Sequence, residues 1–387
     1  MISLYDNDRD AFIKEYLDRA VEKAQFMSCV LSLRKVHRDN NPDYNQCKLP
    51  VLFDATCSGM QHLSALTTNI DLAVLVNLTG CDLQDFYTHC ANIVEGVIAE
   101  YPNKAMRNKL SKVKISRKLV KLPVMTIPYN IGLESLTEKI TAKFEKSFIE
   151  ESGKMKLNFL VPAEYTVNNE PLTLTGSEAG TLGSVIYRTV KGLMPPIQLL
   201  KDYFSGFIKV LSRVNKPIYW ITPAGMKIWG SSLVTKSARV KTSFLRNSKP
   251  VTIRIPTENY DYKDINRSLM ANLIHSLDAA NIHYLIKIIT SDPELSKNHI
   301  NLYTIHDCFA SVNDQMDLVE TSVRKAFSSL YFEKDYLAEL DTCLLNQLKS
   351  YGVEIQTLHN GGRLAVVQRD ERSKAEIVEI PKLPVFN

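Results

Sequence analysis

The feature that most constrains this chain is a pair of short apolar runs, Asn301 to Ile305 and Cys308 to Val312, which meet at His306-Asp307. Two such runs joined by two residues predict a hairpin with buried arms. A carboxylate at the tip of such a hairpin is costly unless it is paired or used. Because turn aspartates are also common, Asp307 by itself is compatible with a functional or a purely structural part.

A second acid follows another apolar run. Val51-Leu52-Phe53 predicts a buried strand that ends at Asp54. The end of a rigid strand is a common place for a metal ligand. The residues from Ala55 to Gly59 then let the backbone turn into a helix, so Asp54 or Ser58 is alternatively an N-cap of that helix.

The charge of the chain is unevenly distributed. Lys plus Arg exceed Asp plus Glu by 47 to 42, but residues 101–121 hold eight basic residues and no acid, and residues 226–254 hold seven and no acid. Acid-free basic stretches suit a polyanion such as nucleic acid or a nucleoside triphosphate. Two solvated faces balanced by acids elsewhere would give the same pattern.

Within the first basic stretch and just beyond it, Arg117, Lys121 and Met125 follow i, i+4, i+8 spacing, which puts both cations on one helical face. A guanidinium fork and a point-charge ammonium suit a triphosphate, although a solvated basic face is the plain alternative. Two carboxylates on neighbouring strands could hold two divalent ions about 4 Å apart. Together with a basic helix, such a pair supplies most of what nucleotidyl transfer needs.

Composition narrows the class of protein. Apolar residues make up 45% and charged residues 23%, which is typical of a folded, soluble chain. No apolar stretch approaches about 18 residues, so no membrane span is expected. Charges throughout the first 30 residues argue against a secretory signal or a cleaved mitochondrial presequence. Seven cysteines without CxxC spacing indicate a reducing compartment rather than a zinc ribbon or disulfide framework.

Apolar periodicity gives a coarse secondary structure. Helices are predicted over residues 6–38, 61–66, 82–100, 104–122, 133–149, 196–213 and 265–290. A β-rich insertion is predicted over about 151–183, and a strand at 219–221 that ends in a turn at 222–225.

The order of these motifs resembles the single-subunit DNA-dependent RNA polymerases of bacteriophages and mitochondria. The run from Asp54 to His62 resembles motif A, D-G-S-C-S-G-x-Q-H, and the run from Arg117 to Tyr129 resembles motif B, R-x-x-x-K-x-x-x-M-T-x-x-Y-G. Residues 304–309 resemble motif C, x-x-H-D-S-F. Between them, residues 222–225 resemble a T-P-x-G segment and residues 275–279 an H-S-x-D-x helix. The K-L-P-V-M-T-I-P-Y-N version of motif B is most similar to the branch carried on linear plasmids of fungal and plant mitochondria.

The resemblance implies a role for each matched residue. Asp54 and Asp307 would hold two Mg²⁺ ions, with the Ala55 carbonyl as a further ligand. Arg117 and Lys121 would contact the nucleotide phosphates, with Lys121 as a candidate proton donor to pyrophosphate. The remaining matches are Tyr129, at the insertion site for ribose selection, His275, near the 2′-hydroxyl or the primer-end minor groove, and His306, which would orient the turn.

The same resemblance implies an α+β right-hand polymerase fold, mostly helical with a small antiparallel palm sheet. Residues 1–72 and 275–387 would form the palm and residues 73–274 the fingers, with the thumb and the N-terminal domain absent. The implied partners are a DNA template, an RNA product hybrid and ribonucleoside triphosphates, with no membrane, and an upstream polymerase polypeptide is a further candidate partner. The implied location is mitochondrial, with a cytoplasmic location as the alternative.

Some residues depart from the family pattern, and two other functions stay open. Asn130 replaces the motif B glycine, and Pro123 and Pro128 are expected to interrupt the helix. A family A DNA polymerase is one alternative, although that family typically carries H-D-E where Cys308 follows Asp307 here. The other alternative is a truncated non-catalytic nucleic-acid-binding remnant, or half of a split enzyme.

Overall fold

The computed structural model describes residues 1–39, 48–80, 82–151, 154–241, 250–297, 299–368 and 374–386. The expected α+β class is confirmed, because the chain is mostly helical and carries several small antiparallel sheets. Within these ranges, no helix combines the length and the apolar character that crossing a membrane requires.

Most of the helices follow one another in runs, and the strands are grouped between these runs. The helices are α1 Ile2–Asn7, α2 Arg9–Phe12, α3 Lys23–Asp39, α4 Ser58–Leu66, α5 Ile70–Leu75, α6 Phe86–Ala99, α7 Lys104–Leu110, α8 Arg117–Thr126, α9 Leu133–Thr141, α10 Gly176–Gly192, α11 Pro195–Val214, α12 Tyr262–Ser291, α13 Pro293–Lys297, α14 Met316–Phe332 and α15 Tyr336–Ser350. One π-helical turn, Ile13–Leu17, follows α2.

Five antiparallel sheets are found among the described residues. Their strands are β1 Pro50–Asp54, β2 Glu145–Glu151, β3 Lys154–Val161, β4 Leu172–Thr175, β5 Ile218–Ile221, β6 Lys227–Gly230, β7 Leu233–Val240, β8 Val251–Tyr260, β9 Tyr303–Ile305, β10 Cys308–Val312, β11 Glu354–Thr357, β12 Arg363–Val367 and β13 Glu376–Ile380. The sheets have the orders β1-β10-β9, β2-β3-β4, β5-β6, β7-β8 and β11-β12-β13.

The chain divides into two compact units. The first contains residues 1–55 and 281–330, and the second contains residues 56–280 and 331–387. In the first unit, the β1-β10-β9 sheet packs on a small core around Leu285, Phe309 and Val319. The second unit has the large core, in which Trp220, Tyr87 and Tyr203 are among the largest fully buried side chains. The expected palm and fingers boundaries remain a prediction.

Three predicted helices are shorter than the periodicity indicates. The stretch 6–38 is broken before Lys23, where α3 begins. The stretch 104–122 divides into α7 and α8, because the chain between them pairs Val113 with Thr166 and donates the Lys114 N–H to the Tyr165 carbonyl. The stretch 133–149 leaves the helix after Thr141 and enters β2. In each case the helical spacing of apolar residues extends beyond the observed helix. The helix nevertheless ends earlier, at a break in the chain or where the backbone pairs with another segment.

The β-rich insertion is present with shifted limits. Its strands lie within residues 145–175, and the helix α10 begins at Gly176, so the last part of the expected 151–183 insertion is helical. A capping box explains that start, because the Thr175 hydroxyl accepts from the Glu178 N–H and the Glu178 carboxylate accepts from the Thr175 N–H. Residues 152 and 153 lie outside the described ranges.

Candidate active site

The first unit places Asp54 at the end of strand β1 and Asp307 in the loop directly before strand β10, which pairs with β1. Strand β1 pairs antiparallel with β10, and the register sets Asp54 opposite Cys308, the residue directly after Asp307. Cys308 in turn pairs with Ile305, so His306 and Asp307 form a two-residue loop between β9 and β10. Residues paired across an antiparallel ladder lie about 4.5–5.5 Å apart. Asp54 therefore lies across the ladder from the residue that follows Asp307, although the two acids are far apart in the chain.

The backbone and the charge around this loop are unusual. His306 has a φ of 53°, which a non-glycine side chain adopts in only a few per cent of cases. The pKa of the Cys308 thiol is raised, first by burial and then by the negative charges of Asp54 and Asp307. Asp54 pairs with Cys308 across the ladder and Asp307 directly precedes it in the chain, so both acids lie near this thiol.

The oxygen ligands offered by Asp54 and Asp307 at this end of the β1–β10 pair fit a hard divalent cation. Magnesium binds through one or two carboxylates and completes its shell with water and substrate phosphates, so it does not require an all-protein cage. Asp54 and Asp307 supply two carboxylates, and Ala55 follows Asp54 directly along the chain. Among the described residues, no group of three or more His, Cys, Asp or Glu side chains could hold a metal ion.

The second unit places the two predicted cations over one aromatic ring. Helix α8 begins at Arg117. The Arg117 guanidinium lies 5.3 Å and the Lys121 ammonium 5.7 Å from the centre of the Tyr87 ring. Both residues are exposed. The expected common face of Arg117 and Lys121 is therefore present in the helix.

Arg117 also has an acidic partner that the sequence motifs did not indicate. Its Nε donates to Asp85 Oδ2 at 2.7 Å. Asp85 caps helix α6 by accepting from the backbone N–H groups of Tyr87 and Thr88. Partial burial tends to raise the Asp85 pKa, but the hydrogen bonds from Thr88 and Arg117 leave it below its usual value. An N-cap aspartate before an apolar helix is recognisable in a sequence, but its pairing with Arg117, 32 positions away, is not.

Pro123 lies inside α8, and the carbonyl that it leaves without a backbone donor has another partner. A proline at this position cannot donate to the Leu119 carbonyl. The Lys143 ammonium donates to that oxygen at 3.4 Å and also to the Lys118 carbonyl. The helix therefore continues through Pro123 and ends at Thr126, before Pro128. The expected interruption is thus at the end of the helix rather than at Pro123.

Tyr129 lies in the turn after α8 and packs between two other elements of the second unit. Its ring centre is 5.4 Å from that of His275 on α12. A Cβ atom added to Gly59 on α4 would lie 2.4 Å from the Tyr129 hydroxyl, so a side chain at this residue would displace the end of Tyr129. The tyrosine of motif B, the histidine of the H-S-x-D helix and a glycine of motif A therefore form one cluster.

The replacement of the motif B glycine by Asn130 has a local explanation. Asn130 has a φ of 65°, and asparagine is the non-glycine residue best suited to this left-handed region. Its side-chain Nδ2 donates to the Asn266 carbonyl on α12 at 3.3 Å. The asparagine thus keeps the backbone conformation that glycine permits and adds a tether to α12.

Comparison with known proteins identifies the family of this chain. The family model described as DNA-dependent RNA polymerase matches residues 5–379, and the chain belongs to this family. It is 33% identical to a probable DNA-directed RNA polymerase of Agaricus bitorquis, over 96% of this chain and 35% of that protein. It is 24% identical to the DNA-directed RNA polymerase of Pseudomonas phage phiKMV, over 88% of this chain and 39% of that protein.

An organellar relative is also found. DNA-directed RNA polymerase 1, mitochondrial, of Arabidopsis thaliana is 24% identical over 86% of this chain and 32% of that protein. The chain thus spans well under half the length of these relatives. The expected membership in the single-subunit polymerase family is confirmed by the family match together with the fungal, phage and organellar relatives.

Proposed function

We propose that this chain carries the catalytic residues of DNA-templated RNA synthesis, which transfers a nucleotidyl group from a ribonucleoside triphosphate to an RNA 3′-hydroxyl and releases pyrophosphate. The observation that carries the proposal is the pairing of β1 with β10, which makes neighbours of Asp54 and Asp307. Two carboxylates at one sheet edge are costly unless a cation or another group compensates them. Family membership supplies the reaction class.

In this proposal Asp54 and Asp307 hold two Mg²⁺ ions, with the Ala55 carbonyl as a further oxygen ligand. When bound, the ions activate the 3′-hydroxyl and stabilise the leaving pyrophosphate. The role of the protein is to keep the two carboxylates in place. The β1–β10 ladder supports this role because it fixes the Asp54 backbone and Cys308, the residue directly after Asp307.

Arg117 and Lys121 bind the phosphates of the incoming nucleotide, and Lys121 donates a proton to pyrophosphate. Their exposed position over the Tyr87 ring leaves both cations open to solvent on one face. The Asp85 carboxylate orients the Arg117 guanidinium through its Nε and leaves the terminal nitrogens for a phosphate. Tyr129 and His275 contact the ribose of the incoming nucleotide and select it over deoxyribose.

The partners in this proposal are a DNA template and its RNA hybrid. The arrangement of side chains on the β7–β8 ribbon is evidence for these partners. The register puts Arg239 and Arg254 on one face of the ribbon. The other face carries Lys236 with an apolar row of partly exposed side chains, Ala238, Val240, Val251, Ile253 and Ile255. One face of the ribbon is therefore polar and basic, as contact with a phosphate backbone requires. A mitochondrial location is proposed because a mitochondrial enzyme is among the relatives.

The test is primer extension on a preformed RNA–DNA hybrid with Mg²⁺, with rNTP and dNTP compared. Asp307→Ala is expected to abolish rNTP incorporation, a loss of more than about a thousandfold, because the metals lose one of two protein carboxylates. Asp314→Ala, an exposed acid shortly after β10, is the matched control and should retain activity.

Two results would contradict the proposal. Preferred incorporation of dNTP by the wild-type chain would indicate a DNA polymerase instead. Binding of the hybrid without incorporation of either nucleotide would indicate a non-catalytic remnant or one half of a split enzyme.

A further inference from the structure

A hydrogen-bonded network in the second unit joins helices α4, α12 and α14. The Ser58 hydroxyl and the His62 Nε2–H both donate to Asp278 Oδ1, each at 2.7 Å. The other ring nitrogen of His62, Nδ1, hydrogen-bonds to the Tyr331 hydroxyl. The His62 side chain is almost fully buried and that of Asp278 is largely buried.

The network holds Asp278 as an anion within a largely buried setting. Burial alone tends to raise the pKa of this carboxyl, but the hydrogen bonds from His62 and Ser58 hold it below its ordinary value. The Asp278 carboxylate binds Ser58 and His62 strongly, because hydrogen bonds to a charged group are about twice as strong as neutral ones. The relative position of α4 and α12 is thus fixed at this point.

The same two helices enclose Tyr129. Gly59 follows Ser58 on α4, and its Cα faces the Tyr129 hydroxyl. His275 lies three residues before Asp278 on α12, on the same side of the helix, and its ring packs on the Tyr129 ring. Tyr129 therefore occupies the gap between α4 and α12, next to the place where Asp278 bonds them together.

We propose that Asp278 is a positioning residue that sets the α4–α12 spacing and thereby the place of the Tyr129 hydroxyl, on which discrimination between ribose and deoxyribose depends. Asp278 acts through Ser58 and His62, which both hydrogen-bond to its carboxylate. The inference rests on the proposed polymerase function, since it assigns a means of sugar selection to that site.

The test compares Asp278→Asn with Asp264→Asn, a control on the same helix whose carboxylate hydrogen-bonds to Arg267. The quantity measured is the ratio of kcat/KM for ATP to kcat/KM for dATP. We expect Asp278→Asn to lower this ratio by roughly tenfold, the factor that corresponds to about 1.4 kcal/mol. The control should leave the ratio unchanged.

A double variant separates positioning from simple loss of stability. If Asp278 acts through Tyr129, then Asp278→Asn should lower the ratio little further in a Tyr129→Phe background, because both changes remove the same discrimination. A merely structural role would reduce kcat/KM for both nucleotides equally and leave the ratio unchanged, which would overturn the proposal. If Asp278→Asn does not fold, Ser58→Ala, which removes one donor only, is measured in the same way.

A second readout does not need activity. With 3-fluorotyrosine placed at position 129, the ¹⁹F resonance should move in Asp278→Asn and stay in place in Asp264→Asn. An unmoved resonance in a folded Asp278→Asn variant would refute the positioning role. If the wild-type chain incorporates neither nucleotide, the polymerase proposal fails by itself, and the ¹⁹F result still decides whether Asp278 positions Tyr129.

Discussion

Gly59 shows how a single hydrogen atom in place of a side chain can decide the position of a functional group. A Cβ at this residue would meet the end of the Tyr129 side chain at 2.4 Å, and the end of a side chain can move without unfolding the protein. Gly59→Ala should therefore fold but displace Tyr129, with an expected fall in kcat/KM for rNTP of about tenfold.

The matched control for this change is Gly96→Ala on α6, where an added Cβ meets nothing within 4 Å. That variant should keep full activity and gain up to about 1 kcal/mol of stability from the better helix propensity of alanine. Steady-state extension kinetics and thermal unfolding measure both variants. Equal activity in Gly59→Ala and Gly96→Ala would show that the Tyr129 position does not matter for extension.

Lys201 is a second residue whose environment has a measurable consequence. Burial, with a smaller effect of Lys191, lowers the Lys201 pKa from 10.5 to about 8, while its ammonium donates to the Ile127 carbonyl just after α8. Between pH 8 and 10.5 the unfolded chain retains a proton that the folded chain has lost, so rising pH favours the folded state at this residue.

Lys201→Met should remove this contribution. The free energy of unfolding of the wild type, measured with urea from pH 7.5 to 9.5, should rise relative to that of Lys201→Met as the pH passes 8. Lys209→Met, an exposed change on the same helix, should follow the wild-type pH dependence. Parallel curves for the wild type and Lys201→Met would contradict the lowered pKa.

At the scale of the element, α8 shows how a helix accommodates an internal proline. The Leu119 carbonyl, which loses its backbone donor to Pro123, accepts from Lys143 instead. Lys143→Met should therefore destabilise the chain by about 1 kcal/mol, the usual net value of one hydrogen bond.

The Lys143 contribution should depend on Pro123. In a Pro123→Ala background the alanine N–H can serve the Leu119 carbonyl, so Lys143→Met should cost less there than in the wild type. A double-mutant cycle by urea unfolding measures this coupling, with Lys139→Met on α9 as the control. Additive effects of Lys143→Met and Pro123→Ala would mean that the lysine does not compensate for the proline.

At the scale of the whole molecule, the second basic stretch forms the β7–β8 ribbon, whose basic face provides a test of nucleic-acid binding. Arg239 lies on the same face as Arg254, whereas Lys236 on the same strand lies on the apolar face. If the basic face meets phosphates, Arg239→Gln should reduce the slope of log K against log salt concentration by up to about 0.9 for a duplex.

Lys236→Gln removes the same charge from the same strand and should change the slope less, because its side chain points away from that face. Binding of a labelled RNA–DNA hybrid, titrated at several salt concentrations, gives both slopes. Equal changes in the two variants would indicate that net charge alone, and not the face, governs binding.

Features that depend on residues close together in the chain could be predicted from the sequence, and features that depend on distant residues could not. The β9–β10 hairpin could be predicted because its arms and its two-residue loop lie within residues 301–312. The expectation that both arms are buried was wrong for β9, which is exposed, whereas β10 is mostly buried. The division of residues 104–122 into α7 and α8 could not, because it depends on the pairing of Val113 with Thr166. The partners of Arg117 and Asp278 were missed for the same reason, since they lie 32 and more than 200 positions away.

The sequence by itself determined the family, the identity of the residues that carry its motifs, and the elements whose signal is local. It did so because hydrophobic period, turn residues and motif spacing act over a few residues at a time. The tertiary structure alone decided the register that sets Asp54 opposite Cys308, the contact of Lys143 with the carbonyl freed by Pro123, and the hydrogen bonds by which Asp278 joins α4 to α12 around Tyr129. These arrangements depend on hydrogen bonds and packing between distant segments, whose gain must outweigh the entropy of ordering the chain between them.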